Sequence, residues 1–148
     1  MKRFAVAGLA LALAACATPP VSAPSEPSGP SSIPSGDLSL GDWRNAPEAA
    51  TLEAFSENVS SRYGAGLALS AVSADLRRNE FNCGPAPAAE QGRGDPPAQV
   101  CRRTTTASGC THTWQVHLFD ASGNMRLART RGLYDRRCGG DGLLGGPS

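Results

Sequence analysis

Residues 110–119, with the sequence CTHTWQVHLF, decide the fold class of this chain. Apolar or aromatic residues alternate with polar ones, which is the period-two pattern of a β-strand that buries one face. The inward set is His112, Trp114, Val116 and Leu118, and the outward set is Thr113, Gln115 and His117. This alternation predicts a strand over Cys110–Phe119.

Turn sequences flank this strand on both sides. Ser108–Gly109 predicts a tight turn that joins it to a Thr-rich strand over Arg102–Ala107. The run Asp120–Asn124 predicts a second turn, followed by a returning strand over Met125–Tyr134. The three strands therefore predict an antiparallel meander, whereas Cys83–Gln99, which is dense in Pro and Gly, is interpreted as a loop.

Two amphipathic helices are predicted before the strands. The first begins at Pro47 and ends at Gly64 and Gly66, and the second, capped by Ser70, runs to about Asn79. Their apolar faces are Leu52, Phe55 and Val59 in the first and Leu69, Val72 and Leu76 in the second. A sheet with one apolar face needs a cover, which these helices can supply. We predict an α+β fold with two short helices packed on a three-stranded antiparallel meander.

The N-terminal residues have the pattern of an export signal. Lys2 and Arg3 precede an apolar stretch, Phe4–Leu13, that is too short to span a bilayer core of about 30 Å as a helix. Leu13-Ala14-Ala15-Cys16 then resembles the lipobox of bacterial lipoproteins, in which the signal is removed before the cysteine and the cysteine is acylated. The alternative is an ordinary secretory signal in which Cys16 is incidental.

The lipobox resemblance implies where the mature protein resides. It implies a signal peptide over residues 1–15, acyl chains such as palmitate on Cys16, and attachment to a membrane. Ala17 follows the cysteine in place of the Asp that resembles an inner-membrane retention signal. We therefore expect a lipid anchor in the outer membrane, with the domain facing the periplasm and the inner membrane as the less favoured location.

Composition divides the rest of the chain. Residues 16–36 hold the acylated cysteine and a Pro- and Ser-rich tether, which cannot bury enough apolar surface to fold. Residues 139–148 form a Gly-rich tail that is expected to be disordered. The folded domain is therefore predicted over residues 37–138.

Four cysteines remain once Cys16 is assigned to lipidation, and they allow three disulfide pairings. The register around the second turn brings Cys138 within reach of Cys110, and Cys83 closes a loop onto Cys101. A metal site that uses Cys101, Cys110 and His112 is disfavoured, because zinc ligands usually come in close pairs and an oxidising compartment favours disulfides. We predict the pairs Cys83–Cys101 and Cys110–Cys138, with no metal and no cofactor.

A lipobox, a short tether, two helices and a three-stranded sheet resemble the small outer-membrane lipoproteins of the BamE (SmpA/OmlA) type. The motifs that carry the resemblance, within Pro47–Tyr134, are Leu69-x-x-Val72-x-x-x-Leu76 and Trp114-x-Val116-x-Leu118-Phe119-Asp120. The resemblance implies a non-enzymatic accessory role in the envelope, such as binding the machinery that assembles outer-membrane barrels.

Other function classes lack sequence support. A net charge of +1 excludes a histone-like protein, and nucleic acid is not an expected partner in the periplasm. The chain has no nucleophile elbow, phosphate loop or dinucleotide motif, and His112 and His117 fall on opposite faces of their strand. We therefore expect an interaction or structural protein with an envelope partner. The alternatives are a small inhibitor or ligand-binding lipoprotein and, less favoured, a cell-wall enzyme.

Charge is distributed unevenly along the predicted domain. The chain from residue 101 onward contains seven arginines and three aspartates, whereas residues 37–100 contain five arginines and nine acidic residues. This pattern is explained either by charge complementarity within the domain or by a basic sheet face that meets an acidic partner or anionic lipid headgroups. The residues of the candidate binding face are Arg129, Arg131 and Trp114, joined by Arg102 or Arg103.

Overall fold

The computed structural model describes residues 32–88, 94–120 and 122–139. Two helices precede four strands: α1 Glu48–Arg62, α2 Leu69–Arg78, β1 Asn82–Pro85, β2 Gln99–Ala107, β3 Cys110–Asp120 and β4 Leu127–Cys138. The strands form one antiparallel sheet in the order β1-β2-β3-β4. The α+β class is confirmed, but the sheet has four strands instead of three. The predicted signal peptide and Cys16 lie outside the described residues, as do most of the predicted tether and tail.

The additional strand, β1, begins one residue before Cys83–Gln99, the stretch that the sequence predicts as a loop, and its other three residues lie within it. Its four residues, NCGP, have no alternation, and Gly and Pro are both depleted in strands. This segment is a strand because it pairs with β2. In that pairing Cys83 lies directly opposite Cys101. Pro85 is tolerated there because β1 is an edge strand, whose outer N–H groups need no partner within the sheet.

Both predicted disulfides are present. Cys83 bonds Cys101 across β1 and β2, and Cys110 bonds Cys138 across β3 and β4. Each bridge joins directly opposed residues, so each fixes the register of one strand pair. The second bridge requires β4 to continue to Cys138, four residues beyond the end predicted from the sequence.

The turn between β2 and β3 fixes the register in which these two strands pair. Ser108 and Gly109 have φ angles of 53° and 74°, as a two-residue hairpin turn with positive φ at both positions requires. Ala107 and Cys110 pair on either side of it. The dipeptide predicted as a tight turn therefore sets the register of the two central strands.

A single core lies between the helices and one face of the sheet. Both helices contribute their predicted apolar residues, except that Leu52 is only partly buried. The buried members include Phe55, Val59, Leu69, Val72, Leu76, Trp114, Val116 and Leu118. Helix α1 packs along β4 so closely that a Cβ atom added at Gly132 would lie 2.9 Å from the Cα atom of Ser56.

The edge strand β4 is contacted by other segments near both of its ends. Residues 66–69 form an irregular partner for its start, since Leu127 donates its N–H to Leu67 and accepts a bond from Gly66. Farther along, a carboxylate oxygen of Glu48 accepts the backbone N–H of Arg136 at 3.3 Å. These contacts blunt the strand addition that an exposed edge invites.

The start of α2 differs from the prediction. The N-cap position is Ala68 instead of Ser70, and no side chain caps this helix. The first helical N–H, that of Leu69, donates instead to the carbonyl of Met125 at 3.0 Å. The chain segment before β4 therefore supplies the acceptor that a capping hydroxyl would have provided.

Candidate functional site

The two faces of the sheet have different environments. The face that carries His112, Trp114 and Val116 is covered by the helices, and the opposite face carries no helix among the described residues. Trp114 is completely buried on the covered face, where its indole N–H donates to the carbonyl of Leu40 at 3.3 Å. Its assignment to a binding face with Arg129 and Arg131 is therefore wrong, because strand alternation places those arginines on the other side.

The uncovered face is basic and rich in hydroxyl groups. Arg129 and Arg131 lie on β4 opposite Phe119 and His117 of β3, and both arginines are exposed. Two pairs of opposed threonines occupy the middle of the sheet. We call this surface the open face. Its arginines and threonines are Arg102, Thr104, Thr106, Thr111, Thr113, Arg129, Arg131 and Arg137.

Acidic residues interrupt the arginines of the open face. Arg137 forms an exposed ion pair with Asp135 at 2.9 Å, and Arg129 pairs with Asp95 at 3.0 Å. The guanidinium of Arg129 also lies 3.5 Å from the ring centroid of Phe119. The aromatic partner of Arg129 is therefore Phe119, whereas Trp114 is buried on the other face. Four arginines against two aspartates leave the face with a net positive charge.

Arg102 and Arg131 carry the unneutralised charge of the open face. Neither forms an ion pair within the described part of the chain, and Arg102 has only a long hydrogen bond of 3.4 Å to Gln115. Arg131 borders a shallow cavity of about 280 Å³. Arg103, the other candidate on this strand, instead pairs with Glu80 near the helices and does not join the face.

Residues 94–98 cover one end of the open face. Pro96 and Pro97 line the same cavity as His117, whose side chain is nearly buried although its position points outward. The two histidines lie on opposite faces of β3, as predicted, because His112 is on the covered face and contacts Tyr134. Within residues 32–88, 94–120 and 122–139, no three His, Cys, Asp or Glu side chains cluster as metal ligands would.

A second concavity lies at the end of the sheet that bears the Cys110–Cys138 bridge. It is a cleft of about 330 Å³ between the turn at Trp43–Asn45 and the strand residues His112 and Arg136. Trp43 and His112 meet edge to face with ring centroids 4.7 Å apart, and the Arg44 guanidinium lies 4.1 Å from the Trp43 ring centroid. Sequence reasoning missed this cleft, because the turn that forms one wall is distant from the strands in the chain.

A buried ionic network joins the two helices to each other and to the N-terminal segment. Asp75 accepts hydrogen bonds from Arg62 at 2.8 Å, from the Tyr63 hydroxyl at 2.7 Å and from Arg78 at 2.6 Å. Burial alone would raise the pKa of Asp75, but these hydrogen bonds outweigh it and hold that pKa below its usual range. The pKa of Tyr63 is raised, chiefly by burial. The network holds the N-terminal segment through Arg62, which also donates to the carbonyl of Gly36.

No known protein family, curated protein or solved structure matches the chain. Neither described helix has the length and apolarity of a membrane span. The lipobox and the resemblance to BamE-type lipoproteins therefore stay predictions from the sequence.

Proposed function

We propose that this protein is a lipid-anchored interaction module of the bacterial cell envelope, which binds an acidic protein partner through its open face. The proposal combines the lipobox pattern at Leu13–Cys16 with the observation that, in the described part of the chain, the helices cover one face of the sheet and leave the other open. A role as an accessory in outer-membrane assembly is one form that this function could take.

The open face favours a charged partner of defined shape. Arg102 and Arg131 lie on the two strands that flank β3, one row apart along the same face, so both charges can meet one partner surface. Exposed hydroxyls of Thr104, Thr106 and Thr111 lie farther along the same face and can donate or accept hydrogen bonds. Such a surface complements carboxylates that are interspersed with polar groups.

The acids within the open face favour a protein over a lipid surface. Asp135 and Asp95 would meet the phosphates of an anionic bilayer together with the arginines, and like charges held opposite one another cost free energy. A protein partner can place a cation or a polar group opposite each aspartate. Strand addition is disfavoured at the two ends of β4 that carry other contacts, whereas the arginines and threonines of the open face are exposed.

Charge reversal on the open face tests the binding half of the proposal. The full-length protein serves as bait in envelope extract, with Arg131→Glu and Arg102→Glu as test variants and the exposed helical Arg77→Glu as a charge-matched control. We expect the same acidic protein to be recovered with wild type and the control, to be depleted with both test variants, and to be lost as salt rises.

Two outcomes would overturn this half of the proposal. One is a partner that binds the test variants and the control equally well. The other is binding of the purified domain to phosphatidylglycerol vesicles but not to phosphatidylcholine vesicles, with loss in the test variants, because that result would identify a lipid surface as the ligand.

The anchor is tested separately with Cys16→Ser. We expect the variant to leave the membrane fraction and to lose incorporation of labelled palmitate, since no thiol remains to be acylated. Multiple acyl chains hold a protein on a bilayer far more firmly than one chain does. A Cys16→Ser protein that still sediments with membranes would contradict lipidation as the means of attachment.

A further inference from the structure

We propose that the cleft formed by Trp43, Arg44, His112 and Arg136 binds a small ligand that carries a carboxylate on an apolar or planar group. This site lies on the covered side of the sheet and is separate from the open face. Ligand binding in this cleft is therefore independent of the function proposed above for the open face.

Two arginines give the cleft its preference for an anion. Arg44 comes from the N-terminal turn and Arg136 from β4, so they approach the cleft from different elements. Neither guanidinium forms an ion pair with a carboxylate of the described residues. Glu48 lies near Arg136, but the contact of its carboxylate is with the backbone N–H. Both guanidiniums therefore lack a described counter-ion, and that of Arg44 packs on the Trp43 ring.

The neighbouring groups favour a carboxylate attached to a flat or apolar body. Trp43 is partly exposed and lines the cleft, where an apolar or planar group can pack against the part of its ring that Arg44 leaves uncovered. His112 is opposite Arg136 in the β3–β4 register, and its Nδ1 is bonded to the Tyr134 hydroxyl at 2.7 Å. Its Nε2 has no hydrogen bond to a described residue, and His112 and Arg136 both line the cleft.

The walls of the cleft are held in place before any ligand binds. Trp43 packs edge to face on the buried Trp114, with ring centroids 5.4 Å apart, and Trp114 in turn contacts Tyr134. The Cys110–Cys138 bridge closes the sheet beside the cleft. A volume of about 330 Å³ lies at the small end of the range for ligand sites, which fits an acid of modest size.

The test uses benzoate and N-acetylphenylalanine as probes, each compared with its neutral amide. Only two tryptophans occur in the chain, so the indole N–H region of a two-dimensional NMR spectrum contains two signals. We expect the Trp43 signal to move saturably with at least one acid and with neither amide. Preference for benzoate would identify a small aromatic acid, and preference for N-acetylphenylalanine would identify a peptide terminus as the source of the carboxylate.

Adjacent residues of β4 provide a matched control. Arg136→Gln and Arg44→Gln each remove one guanidinium from the cleft, whereas Arg137→Gln removes one from the open face. We expect the dissociation constant of the preferred acid to rise at least about tenfold in each cleft variant and by less than about twofold in the control. An unchanged near-ultraviolet circular dichroism spectrum verifies that each variant is folded.

Three results would overturn the inference. The first is the absence of saturable binding by either acid. The second is binding that the cleft variants and the control weaken equally, since the ligand would then lie elsewhere. The third is binding of the amides as tightly as the acids, which would mean that the arginines do not recognise the carboxylate.

Discussion

Replacement of Gly132 by Ala tests how α1 lies against the sheet. Gly132 is opposite Val116 in β3, and an added Cβ atom would lie 2.9 Å from the Cα atom of Ser56 and 3.3 Å from a ring carbon of Phe55. Carbon atoms in favourable contact are about 3.5–4.0 Å apart, so the helix backbone has to move. Rotation of a side chain cannot relieve the clash, because the nearest atom belongs to the main chain.

The expected cost follows from this geometry. Adding a methylene group to a well-packed core costs about 1–3 kcal/mol, and replacing Gly by Ala returns about 0.4–1 kcal/mol by restricting the unfolded chain. Because the helix backbone must shift, we expect a net loss of about 1–2 kcal/mol of unfolding free energy in Gly132→Ala. A loss of 1 kcal/mol lowers the melting temperature of a domain of this size by about 4–8 °C.

Gly84→Ala is the matched control, since Gly84 is also a strand glycine but has no atom within 4 Å of an added Cβ. We expect its unfolding free energy to be unchanged or higher by up to about 1 kcal/mol. Urea unfolding of both variants, followed by far-ultraviolet circular dichroism with the disulfides intact, gives the comparison. A Gly132→Ala protein as stable as Gly84→Ala would refute the close packing of α1 on β4.

Three further predictions concern the interior and the bridges. Asp75→Asn leaves the buried Arg62 guanidinium without its anion and should cost about 3 kcal/mol in urea unfolding at pH 7, whereas Arg78→Gln, which removes an exposed partner of Asp75, should cost under about 1 kcal/mol. The pKa of Asp75 is lowered on folding. The loss of unfolding free energy in Asp75→Asn should therefore be full above the usual aspartate pKa, about 4, and should shrink as the pH falls through the lower folded value. A loss of the same size at pH 7 and at pH 3 would contradict the ion pair. Replacing Cys110 and Cys138 together by Ser opens a loop with a sequence separation of 28 residues. By the chain-entropy argument this should lower the unfolding free energy by about 3.6 kcal/mol, which thermal unfolding measures. An unchanged melting temperature would exclude the bridge.

Regular patterns made the helices and the central hairpin predictable. Phe55 and Val59 recur at helical spacing and Trp114 and Val116 at strand spacing, and each pair is buried as its period requires. The same parity places Trp114 on the covered face, so its assignment beside the exposed arginines conflicted with the alternation that predicted the strand. The alternation along a strand determines which face a residue occupies, and a position on the neighbouring strand does not alter it.

Contacts between distant segments account for what the sequence did not reveal. β1 has no strand pattern of its own and exists through its pairing with β2, which the Cys83–Cys101 bridge holds. His117 occupies an outward position, yet it is nearly buried because Pro96 and Pro97 lie over that end of the sheet. Such coverage depends on where a loop returns, and no period in the strand itself encodes it.

The two candidate binding surfaces depend on one feature of β4, its register against β3. A shift by one residue would exchange the faces of Arg136 and Arg137, moving one guanidinium out of the cleft and the other off the open face. The bridge between Cys110 and Cys138 lies at the same end of the strand pair and forbids that shift. Besides stabilising the domain, the bridge therefore determines which arginine each surface receives.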